Sequence, residues 1–172
     1  MDPTVFREMF AYSFWANRQV WSCIEQLTEG QFTQDIAFSR GALRMQCIHI
    51  MGTESWWFHF LRTGEVAFLD AADYPTRAAV RAKWDEVERE VISYLAGVSD
   101  ADLVRMVRPE VWDDEDQPVH AWQEMLQVAM HSTDHRAQTL ASIHAMGGPG
   151  VEQDYLNYLD DQQRNNSATL HA

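Results

Sequence analysis

Basic charge is what this sequence most lacks. Lys and Arg number 13 against 26 Asp and Glu, so the 172 residues carry a formal net charge of -13. Affinity for a nucleic acid comes largely from Lys and Arg contacts to phosphate, and no local basic patch offsets the deficit. The same charge opposes adsorption to anionic lipid. The chain is therefore expected to bind neither nucleic acid nor membrane. Long apolar runs are missing too, and no stretch reaches the length needed to cross a bilayer. The opening "MDPTVFREMF" lacks the basic start and apolar run of a secretory leader, which points to a cytoplasmic protein. Two cysteines, Cys23 and Cys47, are too few for a disulfide framework. Both sit in apolar helical patterns and read as reduced structural thiols; no local motif supports a catalytic Cys–His pair.

Helical periodicity is what the sequence has instead. The first segment runs from about Thr4 to Leu27, with Phe6, Phe10, Phe14, Asn17, Val20 and Ile24 on one face and Asp2-Pro3 as its start signal. A second begins after "SRGAL" and stops at Gly64. Its most regular stripe is Met45, His49, Gly52, Trp56 and Phe60, read as core-facing, although a histidine and a glycine interrupt the apolar seam. The third spans about Thr76 to Ala96, burying Val80, Trp84, Val87, Val91 and Leu95. The fourth runs from about Ala121 to Met146 and ends at "GGPG". The expected fold is all-α, a single four-helix bundle over residues 1–160 with a C-terminal tail at 161–172. About twenty residues separate the third and fourth helices, long enough to suggest a short hairpin that includes "LVRMV". The acidic "DDED" run in that segment lacks the glycine and distal glutamate of a calcium loop and reads as a solvated turn. After Gly150, "VEQDYLNYLDDQQRNN" reads as a short helix or an extended cover.

The chemistry concentrates in "HSTDH", residues 131–135. Residues four apart on a helix share a face, so His131 and His135 can address one ion. Two histidines do so in the HExxH metalloprotease motif, but Ser132 stands where that motif has its general base. A third ligand must come from another helix, and His49, mid-helix, is the best placed. His59 and His144 lie roughly 15 Å along the axis from the candidate ligands on their own helices, and Cys47 projects to nearly the opposite side from His49. Three imidazoles leave an open coordination position, and nitrogen ligands suit zinc, nickel, iron or copper. The competing reading is a bundle whose histidines form a hydrogen-bond network without metal.

Taken together, "FWANRQVW", "CIHIMGTESWWF", "HSTDHRAQTL" and "DYLNYL" resemble the DinB/YfiT-like superfamily of metal-binding four-helix bundles over nearly the whole chain. The resemblance implies an up-down-down-up bundle whose long third connection crosses the end of the molecule. It also implies a divalent metal, zinc or nickel foremost, held by His49, His131 and His135, and a homodimer. Its implied chemistry is activation of a low-molecular-weight thiol or water, making the chain a metal-dependent thiol S-transferase or hydrolase acting on a small-molecule thiol or electrophile. The alternative is a non-catalytic metal-binding stress-response or dimeric binding protein. Glu54, about one turn beyond His49, is an acid/base candidate or a surface glutamate. Arg136 is a candidate for an anionic substrate or a salt bridge. Asn17 and Trp15 are candidates for the pocket wall, with core packing the competing reading for Trp15.

Overall fold

The computed structural model describes residues 2–169. The Asp2 carboxylate accepts from the Thr4 amide at 2.8 Å, Pro3 fills the first turn where no amide donor is needed, and α1 runs Pro3–Ile24. A short helix absent from the sequence reading follows, α2 at Glu29–Thr33, opened by a reciprocal Thr28–Gln31 capping box. The other long helices are α3 (Leu43–Thr63), ended by Gly64 at φ 82°, and α4 (Arg77–Gly97), capped by Thr76. Between α4 and the last bundle helix lie α5 (Asp100–Leu103) and a two-residue antiparallel pair, β1 (Met106–Val107) with β2 (Val119–His120). The hairpin is thus present, joined by a helical turn the sequence reading lacked. Then α6 runs Ala121–Ala145 and α7 Tyr155–Thr169.

Cross-links between helices set their directions. Arg7, near the start of α1, donates to the Leu95 and Val98 carbonyls at the end of α4 at 2.9 and 3.1 Å. Arg77, at the start of α4, reaches back to Ile24 and Leu27 at the end of α1, so α1 and α4 are antiparallel. Glu54 meets Trp84 and Phe58 meets Tyr94, so α3 and α4 are parallel. Gln46 meets Gln138 while Arg105, bonded to the first residue of α6, meets Leu61, so α3 and α6 are antiparallel. The order is up-down-down-up. α1 and α3 each pack on both α4 and α6, which leaves α4 and α6 on a diagonal that the segment with β1 and β2 crosses.

The parallel α3–α4 pair forces a second long return, which the sequence reading did not anticipate. A 21-residue helix is about 31 Å long, and the chain must travel that distance back between Thr63 and Arg77. Residues 64–76 do so as a mostly extended strap with one 3-10 turn at Ala71–Asp73. Arg44 pins the strap by donating to the Ala71 and Tyr74 carbonyls at 2.9 and 3.0 Å. Val66, Leu69 and Tyr74 pack it onto the core.

The C-terminal segment is helical and docks on α1. Tyr12 and Trp15 pack against Tyr158, and Trp15 Nε1 donates to Asp161 at 3.0 Å. The helix continues past residue 160, where a tail was expected to begin, and Asp161 is tied to α1. His171 lies outside the described residues.

Candidate metal centre

Of the stripe expected to face the core, Phe60 does so, and the four residues before it do something else. Met45, His49, Gly52 and Trp56 are half-buried, whereas Leu43, Cys47, Ile50, Met51 and Glu54 occupy the buried face of α3. The interrupted stripe walls a cavity of about 580 Å³ between α3 and the strap, with Arg40 and His49 at its polar end. Trp56 and Phe68, rings 5.5 Å apart, form its aromatic side.

Above that end the three predicted imidazoles converge. His49 Nε2 lies 2.9 Å from His131 Nε2 and 3.1 Å from His135 Nε2. Among the described residues this is the one group of three side chains disposed to hold a single ion. Two nitrogens each about 2.05 Å from one zinc sit about 2.9 Å apart at a right angle and about 3.4 Å apart at the tetrahedral angle. The observed separations fall in that interval. Burial, the Arg40 charge and the neighbouring imidazoles push His49 down to about 4. Burial, with His135 and Arg40, does the same to His131, and burial also lowers His135. All three rings are thus neutral at physiological pH, the form that ligates. Gln46 sits behind His135, its amide 3.1 Å from Nδ1, where it orients the ring.

Arg40 is the residue the sequence reading missed. Its Nη2 donates toward His49 Nε2 at 2.9 Å. Ser39 and Gly41, on either side, both adopt left-handed backbone at φ 49° and 76°. The Ser39 hydroxyl is held by Gln46 and Gln138. The only signal in the sequence was Gly41, in a segment read as a mere lead-in to a helix.

Glu54 is neither an exposed glutamate nor part of the cavity wall. It is fully buried and accepts from Trp84 Nε1 at 2.8 Å, Ser132 Oγ at 2.8 Å and Asn17 Nδ2 at 3.3 Å. Burial still raises its carboxyl above the ordinary value, against those donors and the nearby Arg136 charge. Arg136 does not face a substrate. It is fully buried, and its donors are committed to Gln153, Ser13, Asn17 and Thr133 at 2.8 to 3.1 Å. One residue on a helix is a turn of about 100°. Arg136 therefore shares the buried stripe of Ser132, Thr139 and Ile143 rather than the histidine face. Asn17 likewise leaves the pocket-wall assignment: it bridges Glu54 and Arg136 inside the bundle. Trp15 is core between α1 and α7. Both cysteines are free and buried, and burial pushes the Cys47 thiol up to about 12, so it carries no thiolate at neutral pH. A second cavity, of about 380 Å³ and lined by Arg7, Phe14 and Leu95, lies between α1 and α4. Its Arg7 is committed to backbone carbonyls.

The family model described as the DinB family matches residues 1–166. Among solved structures, a DinB-like protein from Bacillus subtilis is similar, with a TM-score of 0.64 and 12% identity over 84% of this chain and 94% of that one. A DinB family member from Shewanella denitrificans gives a TM-score of 0.56 and 16% identity, covering 90% and 89%. At these identities the likeness speaks to the fold. A search of the curated proteins finds no match. No helix among the described residues is long and apolar enough to cross a membrane.

Proposed function

Because the chain belongs to the DinB family, we propose that it is a divalent-metal protein whose ligands are His49, His131 and His135 and whose open position serves catalysis on a small thiol or water. The observation that supports this reading is the crowding at His49 Nε2. One ring nitrogen offers a single lone pair or a single proton, yet three nitrogens stand within 3.1 Å of it. A hydrogen-bond network satisfies one of those contacts, whereas one shared cation satisfies the three imidazoles together. Neutral nitrogen donors suit zinc or nickel. A bound ion of this kind supplies Lewis acidity and lowers the pKa of a thiol or water at neutral pH.

The chain's own residues hold and shape the site. The paired α6 histidines and His49 are fixed on two antiparallel helices, and Gln46 sets the His135 ring. Met45, Ile48 and Trp56 give the cavity an apolar wall beside His49. The cavity favours a catalytic role over the alternative of storage or sensing, since a saturated binding site needs no adjoining space of substrate size.

The test has two stages. Metal analysis of purified protein and of His131→Ala is expected to show stoichiometric ion in the first and its loss in the second; full retention refutes the site. A panel of small thiols added to the cobalt-substituted protein is then expected to change its visible absorption. No change with any thiol, together with no hydrolysis of ester or amide substrates, counts against catalysis.

A further inference from the structure

Arg40 is an unpaired cation in an acidic chain. Among the described residues no carboxylate lies within ion-pair distance of it, although acidic residues outnumber basic ones 26 to 13. Its guanidinium points at the histidine cluster and lines the cavity. The placement is built into the loop. A left-handed serine is uncommon, and here it is paired with a left-handed glycine on the other side of Arg40. The Ser39 hydroxyl fastens the turn to α3 and α6 through Gln46 and Gln138. Backbone strain of this kind persists where surrounding structure enforces it, commonly at ligand sites.

The remaining cavity wall contains no acidic side chain. Past Arg40, His49 and the Thr53 hydroxyl it is apolar, with Met45, Ile48, Trp56 and Phe68 among its members. Gly52 sits in that wall, and a Cβ built on it meets nothing within 4 Å. Packing therefore does not require glycine there; its absent side chain leaves room. A volume of about 580 Å³ is within the range for a small organic ligand.

We infer that Arg40 determines specificity in this cavity, selecting a small monoanion such as a carboxylate whose apolar or aromatic body lies along Trp56 and Phe68. The inference rests on the metal reading for the location of the reacting end, and its physics is separable. His49 Nε2 has one lone pair, for which Arg40 and a cation compete. A cation held at His49 would take that lone pair and leave the guanidinium free to pair with an anion. A planar guanidinium grips a carboxylate through two parallel hydrogen bonds, which fixes the anion's orientation at the cavity mouth.

The experiment compares 4-phenylbutyrate with its uncharged analogue 4-phenylbutyramide, titrated calorimetrically into zinc-loaded protein and into chelator-treated protein. Metal content is measured on the same samples. Wild type is expected to prefer the carboxylate by about tenfold or more, the scale of one charge-assisted pair. Arg40→Gln is expected to reduce that preference to within about threefold at unchanged metal content, since a neutral amide replaces the charge. Gly52→Leu, which fills the wall, is expected to abolish binding of both probes and to leave the metal in place. Equal affinity for the two probes, no binding of either, a carboxylate preference that survives Arg40→Gln, or binding that survives Gly52→Leu overturns the inference. Protein that takes up no zinc but retains the Arg40-dependent preference overturns the metal reading alone.

Discussion

Ser132 donates its hydroxyl to the Glu54 carboxylate at 2.8 Å, tying the residue beside one candidate ligand to a fully buried acid on the helix that carries another. Ser132 sits where a metalloprotease motif has its glutamate. Its side chain points about 100° around α6 from His131 and about 60° from His135, into the core. There it is one of three donors to Glu54, the others coming from Trp84 and Asn17. Asn17 passes the contact on, accepting from Arg136 at 3.1 Å. A buried carboxyl and a buried guanidinium are thus connected through one amide, behind the histidine cluster rather than in it.

Breaking this network is expected to cost stability and to spare metal stoichiometry. Ser132→Ala leaves a buried carboxylate short of a donor, at about 1–3 kcal/mol. Arg136→Ala removes the buried cation altogether and should cost about 3–5 kcal/mol. Urea denaturation of metal-free protein measures both. If Ser132→Ala is as stable as wild type, the contact contributes nothing.

The histidine set was legible in the sequence because helical spacing is a geometric rule: positions 131 and 135 must share a face, and a ring placed mid-helix at 49 can reach across. The four long helices were legible for the same reason, to within about three residues at each end. Arg40 was not, because its position depends on backbone torsions at Ser39 and Gly41 that periodicity does not encode. The strap at 64–76 follows only from the parallel arrangement of α3 and α4, a property of helix order in space. The role of Arg136 was misjudged because adjacency to His135 in the chain is not adjacency on a helix surface. Glu54 was misjudged because a polar residue beside an apolar stripe gives no sign of being fully buried. Asn17 lies on the apolar face of α1 as read, but periodicity does not tell that its amide bridges Glu54 and Arg136.

Acid should destabilise the chelator-treated protein. His49 and His131 are held near 4 in the fold, against about 6.5 in an unfolded chain. Between those values the unfolded state binds protons that the folded state refuses, so stability falls as pH drops from 6.5 toward 4. His135 is lowered and acts in the same direction. Thermal melts across that range, compared with His49→Gln, should show a shallower acid loss in the variant. Parallel curves would mean that these rings are not held neutral.

Glu124 works against that trend. It lies on the histidine stripe of α6, two turns before His131, and burial alone raises its carboxyl to about 7. A carboxyl raised in the fold above its unfolded value of about 4.3 favours the folded state at low pH. That contribution is lost as pH rises through about 7. Glu124→Gln removes the buried charge without changing the side-chain shape. It should raise the melting temperature relative to wild type at pH 8, with the gain disappearing near pH 5. A gain that is the same at both values would assign the effect to packing rather than to ionisation.

The same substitution at two glycines should act in opposite directions. Gly41 has φ 76°, and a Cβ there collides with the Asp35 carboxylate. The Asp35 side chain is exposed and can swing aside, but alanine at a left-handed φ remains strained, so Gly41→Ala is expected to cost about 1 kcal/mol or more in the turn that carries Arg40. Gly52 lies inside α3 with open space at its Cβ position. Gly52→Ala introduces no clash and restores helix propensity, so it should stabilise by about 0.5–1 kcal/mol. The extra methyl projects into the cavity, which ties the two sites together. Chemical denaturation should therefore rank Gly52→Ala above wild type and Gly41→Ala below it. If both variants lose stability, Gly52 is needed for packing, and it ceases to be evidence that α3 keeps one wall open for a ligand.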